Sequence, residues 1–180
     1  SNIKYKGIDA TVPYIEFAKE YFKNNENTSF ELGDIFNLDE KHKMQFDIVY
    51  CCNVLLHLPE FKQPVNNLLK ITKGTCFIRT LLSDHTHLSK FLYSDKFDES
   101  GEPMDFVFQN TYSYDLFKSY IEAQGNFQVE FIDDEFDVEA INKEYSNFNK
   151  DLEAVTYVQN NVQIAGSKVF EWKWVKITRN

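Results

Sequence analysis

Acidic and amide side chains follow three apolar stretches of the sequence, at the points where β-strands would end. Asp9 ends the first stretch, Asp34 follows the second, and Asn53 follows the third. A carboxylate at the C-terminal end of a parallel strand can accept hydrogen bonds from both hydroxyls of a ribose, because ligands of open α/β sheets lie in the crevice beyond those ends. We therefore expect Asp9 to bind a ribose. For Asp9 and Asp34 the alternative is structural, because aspartates commonly turn the chain at such positions.

Histidines in the later loops are candidates for contact with a substrate. His57 follows the third stretch, and an imidazole with an ordinary pKa of about 6.5 could take a proton from an acceptor hydroxyl. The alternative is that His57 pins its loop. His85 and His87, in the segment SDHTHLSKF, are predicted to contact the substrate or to form a plain polar loop. Together with Asp84 they could supply metal ligands, but an H-x-H pair without a further ligand cluster is a weak signal, so we predict no metal.

The elements that would position these residues alternate between strands and helices, which is typical of an α/β fold. Apolar runs predict strands over 5–8, 29–32, 46–51, 75–82, 127–132 and 169–177. Amphipathic stretches with capping residues predict helices over 11–23, 65–72 and 113–124. The run FDIVYC at 46–51 is continuously apolar, so we expect that strand to be buried on both faces.

Length and composition restrict the class of protein. A chain of 180 residues with 43% hydrophobic and 26% charged residues is one globular domain, not a disordered tail or a membrane bundle. Its net charge of -9 argues against nucleic acid or an anionic membrane as the partner and suits a small neutral or cationic ligand. The six glycines are too far apart to form a G-x-G-x-x-G or Walker phosphate loop.

The cysteines and the lengths of the apolar runs indicate the cellular compartment of the protein. Cys51, Cys52 and Cys76 lie within apolar runs, and neighbours on a strand point to opposite faces, so we expect reduced thiols. The sequence has no run of about 18 apolar residues and no hydrophobic signal core near its start. These observations favour a cytoplasmic protein.

Four segments, in this order, resemble the successive signature segments of class I S-adenosylmethionine-dependent methyltransferases: GIDATVPYIEFAKEYF, FELGDIF, FDIVYCCNVLLHLPEF and KGTCFIRTLL. The resemblance extends from residue 4 to about residue 133. It implies a Rossmann-like three-layer α/β sandwich. The mostly parallel sheet of that family has the strand order 3-2-1-4-5-7-6 and an antiparallel last strand.

The family's first strand, its glycine-rich loop and the following helix should precede Lys4, and they have no match in the sequence. In the family's order that strand lies between the strands predicted at 5–8 and 46–51, whose edges would otherwise leave backbone groups unpaired. We therefore expect residues 1–180 to be a single methyltransferase-like domain that lacks its first β-α unit and is part of a longer polypeptide, or the ordered part of one.

The resemblance also implies S-adenosylmethionine as the cofactor. The cofactor-binding residues that it implies lie at the ends of three strands: Asp9, Ala10, Asp34, Ile35, Cys51, Cys52 and Asn53. Asp34 would accept a hydrogen bond from the adenine amine, and Ile35 would contact the ring. Asn53 and the two cysteines before it would border the sulfonium.

A further apolar pattern repeats at intervals of three and four residues, at Val138, Ile141, Tyr145, Phe148, Leu152 and Val155. It predicts a helix within an insertion over residues 137–168. That helix would cover the sheet, close over the acceptor pocket or form a homodimer contact, because a single apolar seam needs a partner surface.

These observations predict methyl transfer from S-adenosylmethionine to a small-molecule acceptor, with His57 as the candidate base. The segment 83–111, roughly 30 residues long, is too long for a simple connection and is predicted to face the acceptor. One alternative is a non-catalytic methyltransferase-like subunit or a nucleoside-binding domain. Another is a nicotinamide or nucleotide-sugar protein, which shares the acidic strand end but does not explain FDIVYCCNVLLHL.

Overall fold

The structure is a computed structural model that describes residues 3–38, 42–148, 156–165 and 168–180. Its helices, in chain order, are α1 (Val12–Tyr21), α2 (Lys62–Ile71), α3 (Tyr114–Ala123) and α4 (Val138–Phe148). Its strands are β1 (Tyr5–Asp9), β2 (Thr28–Leu32), β3 (Phe46–Cys52), β4 (Thr72–Ser83), β5 (Lys90–Leu92), β6 (Phe106–Phe108), β7 (Tyr112–Ser113), β8 (Phe127–Asp133), β9 (Thr156–Gln159), β10 (Val162–Ala165), β11 (Lys168–Phe170) and β12 (Trp172–Arg179). None of the described helices is long and apolar enough to cross a membrane.

A mixed main sheet has the strand order β3-β4-β12-β8. β3 pairs with β4 in parallel, and β12 lies antiparallel between β4 and β8. β1 and β2 form a separate parallel pair, and the short β7 extends the pairing of β4. Strands and helices alternate as in a Rossmann-like α/β domain. The predicted Rossmann-like α/β class is thus confirmed. The mostly parallel sheet and the three layers stay predictions, because two of the three pairings along the main sheet are antiparallel.

Helices α2 and α3 cover one face of the main sheet. The largest fully buried side chains of this core include Phe117, Ile78 and Leu82. On the opposite face of β3, Ile48 and Tyr50 are 55% and 62% exposed. The prediction that β3 is buried on both faces is therefore wrong. Because α2 and α3 pack on one face, only alternate residues of this strand reach the core.

The connection between α2 and β4 is shorter than expected. The helix ends at Ile71 and the strand begins at once, with the Thr72 hydroxyl donating to the Leu68 carbonyl at 2.7 Å. The pairing of β3 with β4 shifts register near Gly74, where a Cβ would lie only 2.7 Å from the Asp47 carbonyl oxygen. This close approach of two backbones explains a glycine inside the strand.

The C-terminal aromatic stretch is not the single strand predicted over 169–177. β11 pairs with β10, β12 pairs with β4 and β8, and the chain passes from one sheet to the other at Glu171. The rings of Phe170 and Trp172 stack across this break with centroids 6.2 Å apart. The alternation of apolar residues continues through the break, so the pattern alone could not reveal it.

Residues 134–171, between β8 and β12, are called the insertion. Its described residues form α4 and, further along the chain, an antiparallel sheet with the order β11-β10-β9. The Asn142 side chain bonds both backbone groups of Val158, at 2.7 and 3.0 Å, and so joins α4 to β9. Of the predicted apolar seam, Leu152 and Val155 lie outside the described residues. The homodimer contact stays a prediction.

Residues 84–111, between β4 and β7, are called the arm. Its strands β5 and β6 pair as an antiparallel hairpin, with Lys90 opposite Phe108. The arm carries several exposed aromatic side chains: Phe91, Tyr93 and Phe97. It leaves the sheet at the C-terminal end of β4, so it lies at the edge where ligands of such sheets bind.

Ser113 caps α3, because its hydroxyl oxygen accepts a hydrogen bond from the Leu116 amide at 3.3 Å. We predict that Ser113→Ala lowers the free energy of unfolding by about 1 kcal/mol. Ser119→Ala, at an exposed position of the same helix, is the control and should change stability by less than about 0.5 kcal/mol. Urea unfolding followed by circular dichroism measures both. Equal effects of the two substitutions would contradict the capping role.

Candidate active site

The polar residues predicted at the first two strand ends share one edge. β1 and β2 are parallel, Asp9 pairs with Leu32, and the amide of Gly33 donates to the Asp9 carbonyl at 3.0 Å. Asp34 follows directly and is exposed, as is Asp9. The two carboxylates thus lie at neighbouring C-terminal strand ends. That they bind one nucleoside stays a prediction.

Asp9 has both a structural contact and a free side. Its Oδ1 accepts a hydrogen bond from the Thr11 amide at 2.7 Å, which turns the chain toward α1. Ala10, in this turn, is exposed. A carboxylate can accept about four hydrogen bonds, so the turn leaves Asp9 able to bind ligand hydroxyls.

Asp34 forms the start of a short 3-10 turn over Ile35–Asn37. Its Oδ1 accepts from the Phe36 amide at 2.9 Å, and its Oδ2 accepts from the Asn37 side chain at 3.2 Å. The buried side chain of Asn67, on α2, donates to the carbonyls of Ile35 and Phe36 at 2.9 and 3.0 Å. The Asn67 side chain therefore holds this loop against α2. Ile35 is half-buried.

The end of β3 separates its two cysteines. Cys51 is buried in the core, where burial and the neighbouring Cys52 raise the pKa of its thiol to about 12. Cys52 is exposed on the opposite face. Partial burial of its thiol still raises the pKa, although the nearby Arg79 opposes the shift. Cys51 can therefore offer a ligand only its backbone. All three cysteines of the chain, including the buried Cys76, are free thiols.

Asn53 adopts a left-handed backbone conformation, with φ of 59°, directly after β3. Its amide donates to the Arg79 carbonyl at 3.0 Å, and its Oδ1 accepts from the Arg79 guanidinium at 2.5 Å. Arg79 also forms an ion pair with Asp134, the first residue of the insertion. Arg79 and Asp134 lie beside the candidate residue Asn53, and the sequence analysis missed both of them. The available signal was a single cation inside the apolar run TCFIRTLL.

His57 joins its loop to the arm. Its Nδ1 lies 2.9 Å from the Phe108 carbonyl oxygen, so this nitrogen carries the proton and donates. His57 is exposed. The hydrogen bond fits the role of a loop anchor. The exposed side chain fits the role of a general base, because its second ring nitrogen could face a substrate.

The buried Asn110 makes a second connection between the arm and the same loop. Its amide donates to the Leu56 carbonyl, and its side chain donates to the Leu58 carbonyl, both at 2.9 Å. The Ser89 amide donates to Oδ1 of Asn110 at 3.1 Å. The hydroxyl of the neighbouring Tyr112 donates to the Leu55 carbonyl at 3.2 Å. The arm and the loop therefore form one hydrogen-bonded unit.

His85 and His87 both lie at the base of the arm with exposed side chains. The backbone of His87 forms two hydrogen bonds with that of Thr111, at 2.8 and 2.9 Å, and the Ser83 hydroxyl donates to the His85 carbonyl at 2.6 Å. Within the described ranges, no three histidine, cysteine or acidic side chains are grouped closely enough to hold a metal ion.

Beyond the strand ends the arm contacts the insertion. The ammonium group of Lys168 lies 4.6 Å from the centre of the Phe91 ring and donates to the Gln109 side chain. Phe170 packs with Leu56 and Leu81 in a small second core. These contacts place two long excursions from the sheet side by side at the edge that carries the candidate residues.

A cavity of about 250 Å³ also opens at the base of the arm, lined by Pro59, Glu60, Phe61, Lys62, Thr86, Leu88, Tyr112 and Leu116.

Comparison with known proteins identifies the class of this domain. The family described as a methyltransferase domain matches residues 1–100, more than half of the chain, and the chain belongs to this family. It is a class I S-adenosylmethionine-dependent methyltransferase domain, and S-adenosylmethionine is the cofactor of the family. The predicted class and cofactor are thus confirmed.

Solved structures share the fold at low sequence identity. An S-adenosylmethionine-dependent methyltransferase from Mesorhizobium loti has a TM-score of 0.58 and 13% identity, over 98% of this chain and 80% of that chain. The 1,6-didemethyltoxoflavin N1-methyltransferase of Burkholderia thailandensis, with bound 1,6-didemethyltoxoflavin and S-adenosylhomocysteine, has a TM-score of 0.55 and 12% identity, over 97% of this chain and 60% of that chain. For the CMeT domain of a citrinin polyketide synthase the values are 0.57 and 11%, and this chain, matched over 98% of its length, spans 38% of that chain. No curated protein sequence gives a significant match.

Because Asn110 bonds backbone groups of both the arm and the loop, Asn110→Ala should leave the Leu58 carbonyl and the Ser89 amide without these partners. We expect a loss of about 1–3 kcal/mol in unfolding free energy. Hydrogen exchange should increase in residues 54–58 and in the arm together. Asn66→Ala, at a half-buried position of α2, is the control and should change neither by more than a small amount. Faster exchange in the arm alone would contradict a joint unit.

Proposed function

We propose that this domain transfers the methyl group of S-adenosylmethionine to a small-molecule acceptor at the C-terminal ends of β1 to β4. The observation that carries the proposal is the family match, combined with carboxylate and amide side chains at three of these strand ends. The bound heterocycle in the Burkholderia thailandensis structure supports a small molecule as the acceptor, since that relative shares the fold.

Methyl transfer from a sulfonium requires the protein mainly to align the acceptor with the methyl carbon. S-adenosylmethionine supplies a sulfonium that is already reactive toward nucleophiles, so positioning of the acceptor and the methyl carbon contributes much of the rate. The chain's own residues would hold the nucleoside, set the direction of approach and exclude water.

For the nucleoside we assign Asp9 to the ribose hydroxyls and Asp34 to the adenine amine, with Ile35 against the ring and Ala10 beside the ribose. The exposed carboxylate of Asp9 supports this assignment, because its contact with the Thr11 amide uses only Oδ1.

For the reactive end of the cofactor we assign the residues that close β3. Cys52 and Asn53 are exposed there. The side chain of Cys51 faces the core instead, so we assign only its backbone to the site.

For the acceptor we assign the arm and the insertion, which contact each other through Lys168 and Phe91. His85 and His87 would contact the acceptor from the base of the arm. Exposed aromatic side chains on the arm favour an acceptor with an apolar or planar part.

We also infer that a further β-α unit completes the sheet. In the described ranges β1 pairs with β2 and β3 pairs with β4, and no pairing joins the two sheets. A strand parallel to both β1 and β3 would unite them into one mostly parallel sheet. A helix that follows this strand would cover the exposed face of β3, where Ile48 and Tyr50 lie.

The role of Asp9 can be tested with two substitutions in the full-length protein. Asp9→Ala should weaken binding of S-adenosylmethionine by about 1.5–3 kcal/mol, the usual range for hydrogen bonds to a charged group. Asp9→Asn keeps an oxygen for the Thr11 amide but loses the charge, so it should also weaken binding while preserving the turn. Asp47→Ala, whose side chain is exposed at the start of β3, is the control. Calorimetry measures all three. Wild-type affinity in both Asp9 variants, with an intact fold, would remove Asp9 from the site.

His57 is either a general base or a loop anchor, and two amide substitutions separate these roles. Asparagine places its NH2 group close to the position of the imidazole Nδ1, so His57→Asn can still donate to the Phe108 carbonyl, whereas His57→Gln cannot do so in the same way. We favour the anchor, because Nδ1 lies 2.9 Å from that carbonyl oxygen. His57→Asn should then retain turnover within a few-fold, while His57→Gln should lower turnover, cofactor affinity and melting temperature together. A loss of roughly 10²–10⁴ in turnover for both variants, at wild-type affinity, would establish the base instead.

A further inference from the structure

A largely buried cation lies between the end of β3 and the insertion. The side chain of Arg79 is 14% exposed and that of Asp134 is 11% exposed. The guanidinium donates to Oδ2 of Asp134 through Nε at 2.9 Å and also through Nη2, while Nη1 donates to Oδ1 of Asn53. One side chain therefore bonds both the residue that closes β3 and the residue that opens the insertion.

Two tryptophans fix the plane of this guanidinium and its partner. Cζ of Arg79 lies 4.3 Å from the centre of the Trp172 ring, and the indole N–H of Trp174 donates to Oδ1 of Asp134 at 2.9 Å. Asn161, in the turn between β9 and β10, donates to the carbonyl of Asp134. The pair is thus attached to β12 and to the small sheet of the insertion.

The same contact determines which way the Asn53 amide faces. Because its Oδ1 accepts from the guanidinium, its NH2 group lies in the same plane on the other side of the Cβ–Cγ axis, faces away from Arg79 and can only donate. Asn53 is exposed, so this donor is presented at the open end of β3. A lysine could not reproduce the arrangement, because a single ammonium group lacks the planar fork that reaches a carboxylate and an amide while stacking on an indole.

We propose that Arg79 is a positioning residue that couples the methyl-donor end of the site, at Asn53, to the insertion that covers the acceptor. The proposal rests on the proposed function for what binds beside Asn53, but the coupling itself is a property of the ligand-free protein. Arg79 contacts no reacting atom in this scheme. It acts through the direction of the Asn53 amide and through the position of Asp134.

The coupling is tested first without ligand in the full-length protein. The variants are Arg79→Met, Arg79→Lys and the control Lys176→Met, which removes another cation of the main sheet, on β12, and its ion pair with Glu130. If no tryptophan lies outside the present 180 residues, Trp172 and Trp174 are the two fluorophores and both report on the cluster. We expect a shifted emission maximum and faster hydrogen exchange in both 52–58 and 134–142 for the two Arg79 variants. Lys176→Met should leave these regions unchanged.

The link to the donor is tested by a double-mutant cycle on the affinity for S-adenosylhomocysteine. Arg79→Met and Asn53→Ala should each weaken binding by about tenfold, the effect of one well-placed hydrogen bond, and the double variant should be no weaker than either single variant. Arg79→Lys should fail to restore affinity. A merely structural role of Arg79 would lower stability but would give additive effects with Asn53→Ala.

The outcomes separate the two proposals. Additive losses in the cycle, or rescue by lysine, would overturn the positioning role. Faster exchange in only one of the two regions would overturn the coupling. Failure of the unmodified protein to bind S-adenosylhomocysteine would overturn the proposed function, and the ligand-free measurements would still decide whether Arg79 joins Asn53 to the insertion.

Discussion

The burial of one face of the main sheet against α2 and α3 is the constraint on which the rest of the structure depends. This core fully buries Ile78 and Leu82 of β4 and Phe117 of α3. Their burial holds β4 in place, and the arm leaves the sheet from the end of this strand. Apolar burial of this extent supplies the main favourable free energy of folding in a domain of this size. The polar groups at the strand ends are therefore placed by a core that none of them enters.

Two groups of residues outside that core form the candidate site. The first is the set of strand ends with Asp9, Asp34 and Asn53, whose backbones are held by turns and by the side chain of Asn67. The second is the pair of excursions, the arm and the insertion, which contact each other and are tied back to the strand ends by His57, Asn110 and the ion pair of Arg79 with Asp134. These ties are hydrogen bonds and one ion pair, and the apolar cluster of Phe170, Leu56 and Leu81 adds to them.

Much of the fold follows from local patterns. The apolar runs that predict β1 to β4, and the cap that predicts α3, correspond closely to the observed elements, because each depends on residues near in sequence. The exposure of Tyr50 and the break at Glu171 could not be predicted, since both depend on which elements pack or pair at a distance. The Arg79 pair was missed for the same reason: its partners lie 26 and 55 residues away. Its only local sign was a charged residue in an apolar strand.

The arm and the insertion both start after strands of the main sheet, and none of their described residues belongs to the apolar core that α2 and α3 form with that sheet. Changes in their length or composition therefore need not disturb the core formed by α2, α3 and the sheet. Under the proposed function the two excursions bind the acceptor, so substrate choice could change separately from the scaffold. A lineage could exchange one acceptor for another by altering the two excursions as a matched pair, and the contact between Lys168 and Gln109 is where compensating changes should be found.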